Sequence, residues 1–317
     1  MTGSSTAGSS ATGAIVAEEL RRTFGEVVAV DNISLTVPRG SVLGLLGVNG
    51  AGKTTVVRML ATVLKPDSGR AMVHGFDVLT QAQDVRRSIG LAGQNAAVDE
   101  NLTGRENLEL VGRLSHLGRS TSRDRADQLL DQFGLVDAGN RPVRTYSGGM
   151  RRRLDLGAAL VSRPPVLFLD EPTTGLDPAS RLDLWGVIES LVADGTTVLL
   201  TTQYLEEADR LADNIVVIDK GLIAAEGTAK QLKARLGDTV IEFEFASPTV
   251  AKSAAKTLGG TVAAGTIVRL VMTAGPATLR DAMNQLSAAN IAVSHVALRE
   301  PTLDDVFLTL TGTGATS

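Results

Sequence analysis

The sequence predicts an α/β protein: a mainly parallel sheet with a helical insert, followed by a small α+β appendage. Three observations carry that prediction. Short continuous apolar runs, such as Val166 to Leu169 and Val198 to Thr201, have the character of strands buried on both faces. Longer stretches at helical period alternate with them. A glycine-rich loop, Gly47 to Thr54, follows a strand-like run at Ser41–Leu46 and precedes a helical pattern at Thr54–Leu64, the strand–loop–helix order of a parallel unit.

Each element follows from its residues. Residues 1–13 are rich in Gly, Ser, Thr and Ala and lack the basic start and apolar centre of a signal peptide, so they read as a disordered tail. The main domain then spans residues 14–236. Within it, residues 95–163 turn helical. Thr103-Gly-Arg-Glu106 is a capping box opening a helix through Leu108, Val111 and Leu114. Ala126, Leu129, Leu130 and Phe133 recur at helical spacing and stop at Gly134. Ile215–Ile218 and Leu222–Ala225, joined by Asp219-Lys220-Gly221, form a hairpin pattern. From residue 237 to 317 the composition shifts. Ile241, Phe243 and Phe245 alternate with Glu242 and Glu244 as in a half-buried strand. Helical (250–258), strand (266–271), helical (279–286) and strand (291–298) patterns follow, which suggests a ferredoxin-like appendage. An apolar stripe at Leu303, Val306, Phe307 and Leu310 closes the chain, suited to packing on its own domain or to an intersubunit contact.

The bulk numbers narrow the function classes. With 317 residues and 43% hydrophobic content the chain can bury a sizeable core. Its net charge of -4 argues against a nucleic-acid partner, which needs a basic face. There is no cysteine, hence no disulfide framework and no thiolate metal site. His74, His116 and His295 are too scattered to share a metal. No apolar run approaches the roughly 18–20 residues of a membrane-spanning helix, so a membrane role must come through a partner.

The chemistry is concentrated in a few motifs. Gly47-Val48-Asn49-Gly50-Ala51-Gly52-Lys53-Thr54, with Thr55 next, fits a phosphate-binding loop. Its glycines let backbone N–H groups converge on phosphate oxygens at the positive end of the next helix. Lys53 would reach the β- and γ-phosphates of ATP, and the Thr54 hydroxyl would ligate Mg2+. The strand Pro165–Leu169 ends in Asp170 and Glu171, the first suited to the Mg2+ shell and the second to a general base. Ser147-Gly148-Gly149 at a helix start is a second backbone anion site. Arg151-Arg152-Arg153 on the same helix reads first as a solvated face and second as a phosphate or interface contact, and Trp185 reads as a packing residue.

The order Lys53, Gln94, Ser147-Gly148-Gly149, Asp170-Glu171, Gly175-Leu176-Asp177 and Gln203 resembles the ATP-binding subunit of ABC transporters, over about residues 15–236. The resemblance implies a P-loop ABC ATPase core in a homodimer paired head to tail, with two ATP each sandwiched between the phosphate loop of one copy and the Ser147-Gly148-Gly149 signature of the other. It implies that Phe24 stacks on adenine, that Gln94 touches Mg2+ or water and senses a membrane permease, and that Asp177 belongs to the loop crossing the dimer interface. One position departs from the family. Gln203 stands where a His usually contacts the γ-phosphate, and an amide donates one neutral hydrogen bond but carries no proton or positive charge. Modest turnover resting mainly on Glu171 is therefore expected. Thr201–Asp209, Tyr146–Arg153 and the tail Arg299–Phe307 together resemble the daunorubicin-resistance subfamily. That resemblance implies efflux of amphipathic drugs through a separate permease, with the chain peripheral on the cytoplasmic face of the plasma membrane. A lipid, polyketide or glycan precursor is the alternative cargo, because the cargo site lies in the permease. A non-transport ATPase acting on ribosomes or DNA fits less well, since the chain has one cassette, no sustained heptads and an acidic balance.

Overall fold

The computed structural model describes residues 13–93, 98–235, 239–272 and 275–310, with side chains as far as Phe307; the predicted tail up to Thr12, Gln94 and the Leu310 side chain fall outside them. The chain divides into two compact units after Ala229.

In the first unit, β1 (Gly13–Phe24) and β2 (Val27–Pro38) form a long antiparallel hairpin, extended by β4 (Ser68–Val73) and β5 (Phe76–Asp77) in the order β2-β1-β4-β5. A second, six-stranded sheet has the order β10-β9-β3-β8-β7-β6. Its members are β3 (Val42–Leu46), β6 (Ile89–Ala92), β7 (Val166–Asp170), β8 (Thr197–Thr202), β9 (Asn214–Asp219) and β10 (Leu222–Gly227). The ladders are parallel apart from the β9/β10 hairpin, whose turn puts Lys220 and Gly221 at positive φ. Both residues of that two-residue turn take the left-handed form that matches strand twist.

Every residue of β3, β7 and β8 is buried, as expected for strands covered on both faces. The pleat sends alternate residues into different cores. Leu43, Leu45, Val166, Phe168 and Leu199 pack with the β1/β2 sheet and with α1 (Lys53–Leu60). Val42, Leu167, Leu169, Val198 and Leu200 face the helical insert. That insert comprises α3 (Gly104–Leu114), α4 (Arg119–Gln132) and α5 (Gly148–Ala159), while α2 (Ala82–Ser88) precedes β6. The capping box is complete: the Thr103 hydroxyl accepts from the Glu106 N–H, and the Glu106 carboxylate accepts from the Thr103 N–H. Gly134 ends the α4 region at φ 61, as the stop signal predicted. Two helices flank β8, α6 (Pro178–Ala193) before it and α7 (Leu205–Leu211) after it. Helix α1 is shorter than its periodicity suggested, because Thr62 takes a left-handed φ of 61 just beyond its cap.

The second unit begins with most of α8 (Ala229–Ala234), earlier than the compositional shift at Gly237. It continues β11 (Val240–Glu244), α9 (Pro248–Leu258), β12 (Thr261–Ala264), β13 (Ile267–Val271), α10 (Pro276–Ala288), β14 (His295–Arg299) and α11 (Leu303–Leu310). The antiparallel order β12-β13-β11-β14 with this βαββαβ alternation is ferredoxin-like. Ile241, Phe243 and Phe245 build its core with Val268, Ala282 and Leu286. Strand β12 was not expected, since all four of its residues are exposed and leave no alternation to read. Leu303 and Val306 of α11 are buried within the chain itself, so part of that stripe is taken up by intramolecular packing. No described helix is long and apolar enough to cross a membrane.

Candidate active site

The phosphate loop is shaped by backbone crowding. A Cβ at Gly47 would lie 2.4 Å from the Ile218 carbonyl, and one at Gly52 would lie 2.4 Å from the Ala29 carbonyl. Gly52 also holds φ 110 as the cap of α1, a region that excludes side chains. No acidic residue occupies the first turn of α1, so its positive end is not cancelled. Lys53 opens that helix and is 4% exposed. Its Nζ donates to the carbonyls of Gly47 at 2.8 Å and Val48 at 3.2 Å and stands 3.5 Å from Glu171 Oε1. Burial pushes the ammonium below its ordinary range, and the Glu171 and Asp170 carboxylates oppose that shift.

Strand β7 delivers both acids. Asp170 Oδ1 accepts from the Thr54 hydroxyl at 3.1 Å and from the Thr201 hydroxyl at 2.6 Å. Glu171 turns at φ 50 and its N–H donates to both Thr201 O and Thr201 Oγ1 at 3.1 Å. Its carboxylate also accepts from the Thr174 hydroxyl at 3.3 Å. The Thr54 hydroxyl and the Asp170 carboxylate are hard oxygen donors held side by side beneath the phosphate loop. This donor set fits Mg2+, which takes one or two protein oxygens and completes its octahedron with phosphate and water. Among the described residues no group of three or more His, Asp or Glu is placed to hold a metal ion.

These groups open onto a cavity of about 900 Å³, within the size range of small-molecule sites. Asn49, Gly50, Gly52, Lys53, Thr54, Thr55, Glu171 and Gln203 line it, and so does Gly148 from the start of α5. Asp170 is buried behind them. Gly47, Val48, Ala51, Ser147, Gly149, Asp177 and Phe24 are not on the lining. Ser147 is the cap of α5, accepting from Met150 N–H at 3.2 Å. Asp177 caps α6; the hydroxyl and N–H of Ser180 hold its carboxyl below the usual carboxylate range. Phe24, 47% exposed at the end of β1, carries the Arg22 guanidinium 5.0 Å from its ring centroid. Gln94 lies outside the described residues.

The structure revises one sequence expectation and adds Thr201 to the site. The Arg151–Arg153 run is only partly solvated, and Arg151 and Arg152 line the cavity. Arg151 pairs with Glu100 at 2.9 Å, Arg153 donates to Phe133 O at 3.2 Å, and Arg152 turns inward against β7. Thr201, which orients both carboxylate-bearing residues, has no signature of its own; it is found only from the β7/β8 register that pairs it with Asp170. Trp185 packs in the core as expected, and its ring N–H also donates to the buried Glu207 carboxylate at 3.1 Å.

Comparison with known proteins agrees with this geometry. The ABC transporter family model matches residues 30–174. The daunorubicin resistance ATP-binding protein DrrA3 of Streptomyces coeruleorubidus is 53% identical, covering 94% of this chain and 96% of that protein. The doxorubicin resistance ATP-binding protein DrrA of Mycobacterium tuberculosis is 48% identical over 94% and 93% of the two chains. The solved dimeric bacterial ABC transporter cassette MJ0796 superposes with a TM-score of 0.63 at 25% identity, covering 68% of this chain and 98% of that one. A phosphate loop, a paired-carboxylate strand end and a relative this similar along nearly the whole chain lead to one conclusion: the chain belongs to the ABC transporter ATP-binding proteins, in the daunorubicin and doxorubicin resistance group.

Proposed function

We propose that the chain binds MgATP in the phosphate-loop cavity and energises export of amphipathic, anthracycline-like drugs through a separate membrane permease. The observation that carries the chemistry is the juxtaposition of Lys53 with Glu171, 3.5 Å apart, beside the Thr54–Asp170 pair. The N–H groups of the loop and the Lys53 ammonium bind the β- and γ-phosphates; on binding, Lys53 exchanges Glu171 for phosphate oxygens. Glu171 is then free to accept a proton from the attacking water. Thr54 and Asp170 hold Mg2+, which supplies charge neutralisation for the transferred phosphoryl group. Gln203 donates a neutral hydrogen bond toward the γ-phosphate. Phe24 stacks on adenine with the ring face not covered by Arg22.

The active unit is a head-to-tail homodimer. Gly148 supports this reading: it is exposed, and a Cβ there would meet nothing within 4 Å in its own chain, so its own fold does not call for glycine. Ser147, Gly148 and Gly149 then close the site of a second copy, with Asp177 at the crossing and Gln94 toward the permease. The chain works at the cytoplasmic face of the plasma membrane, held there by the permease, and residues 237–317 act as the appendage. The drug-resistance names of the relatives support the cargo assignment. Co-expression with a six-helix permease encoded beside it in a drug-sensitive host tests it: daunorubicin accumulation should fall and ATPase activity rise with drug. Unchanged accumulation across an anthracycline panel would remove the drug assignment and leave the ATPase.

A further inference from the structure

Arg152 lies in α5, five residues after the Ser147 cap, yet its side chain is only 11% exposed. Its Nε donates to the Pro172 carbonyl at 2.7 Å and its Nη2 to the Asp170 carbonyl at 3.2 Å. Its Nη1 donates to the carbonyl of Gly93, just beyond β6, and meets Asp155 Oδ2 at 3.4 Å. The Asp170 and Pro172 carbonyls flank Glu171. That residue holds φ 50, a conformation a side-chain-bearing residue keeps only when its surroundings over-determine it. Thr201 fixes its N–H from the β8 side. Arg152 fixes the carbonyls before and after it from the α5 side. Burial disfavours the guanidinium charge, and Asp155, Asp170 and Glu207 offset that cost. A planar fork can reach separate carbonyls at once, whereas a lysine ammonium is a single point donor.

We propose that Arg152 is a positioning residue for ATP hydrolysis: it holds the turn that aims Glu171 into the cavity and ties that turn to the signature helix, so that a displacement of α5 reaches the catalytic carboxylate. The inference rests on Glu171 being that carboxylate.

The test compares the full-length protein with R152A, R152K, E171Q and E171Q/R152A. Steady-state phosphate release should fall about tenfold or more in R152A while affinity for a fluorescent ATP analogue stays within about threefold, the pattern of a misplaced catalytic group. R152A should cost nothing further in the E171Q background, because its effect passes through Glu171. Losses that multiply in the double variant, turnover equal to the parent, or a fall in ATP affinity matching the fall in turnover would each overturn the proposal. If R152A does not fold, R152K decides: reduced turnover at an unchanged melting temperature supports the proposal and parent-like turnover overturns it. An E171Q protein that retains full turnover would instead defeat the assignment of Glu171, and with it this inference.

Discussion

Replacing Gly148 by alanine separates what the chain needs for folding from what its active site needs. Gly148 is the first residue of α5 and is exposed, with no atom of its own chain within 4 Å of an added Cβ. Its φ lies outside the left-handed region, so alanine adopts the conformation without strain. The folded state should therefore gain about 0.5 kcal/mol from reduced freedom of the unfolded chain. For a unit of this size that raises the melting temperature by roughly 1–2 °C. The effect on hydrolysis has the opposite sign. In a head-to-tail dimer the methyl group would hold the Gly148 N–H off the partner's γ-phosphate. Losing one hydrogen bond to a charged group costs about 1.5–3 kcal/mol. At 1.36 kcal/mol per factor of ten, turnover should fall about 10- to 100-fold. Thermal melting and phosphate release at saturating MgATP measure both quantities on one sample. A G148A protein that melts as predicted but hydrolyses ATP at the parent rate would refute the reasoning.

Three further outcomes follow from the same geometry. G52A places a Cβ 2.4 Å from the Ala29 carbonyl at φ 110, so strain and overpacking should cost about 2–6 kcal/mol and abolish binding of a fluorescent ATP analogue, whereas G50A, with open space around it but a φ of 83, should cost only the backbone strain of about 1–3 kcal/mol and weaken binding less. T103A removes the α3 cap and should cost about 1 kcal/mol in chemical denaturation. The Thr103 N–H and hydroxyl hold the Glu106 carboxyl below its ordinary value of 4.5, so the stabilisation is present above that value and is lost as pH falls through the lower folded one. The T103A penalty should accordingly be equal at neutral pH and at about pH 5.5, and a penalty that fades over that interval would contradict the assignment.

The parts of the fold that were legible in the sequence are those where one physical constraint acts locally. Strands buried on both faces show as unbroken apolar runs, which is why β7 and β8 were read within a residue of their ends. The capping box and the Lys220-Gly221 turn depend on neighbours a few positions apart. The β1/β2 hairpin was not drawn, because register shifts along it interrupt the alternation that would have marked it. The phosphate loop and the Asp170–Glu171 pair were visible because their chemistry is contiguous. Thr201 and Arg152 were not, since each reaches the site across a long sequence interval, Thr201 through strand register and Arg152 by turning inward from a run of three arginines. Charge alone gives no hint of which arginine in such a run is buried.

The central claim is that each ATP is hydrolysed by the phosphate loop of one copy and the signature of another, and mixing two inactive variants tests it directly. K53A loses the phosphate contact, and G148R blocks the signature at a position its own fold leaves open. When the two are co-purified as a mixed dimer, one composite site combines the intact Lys53 of the G148R chain with the intact Gly148 of the K53A chain. Head-to-tail pairing predicts that phosphate release reappears on mixing, well above that of either variant alone. Turnover that stays at the sum of the two inactive proteins, with the mixed dimer shown to form, would contradict it.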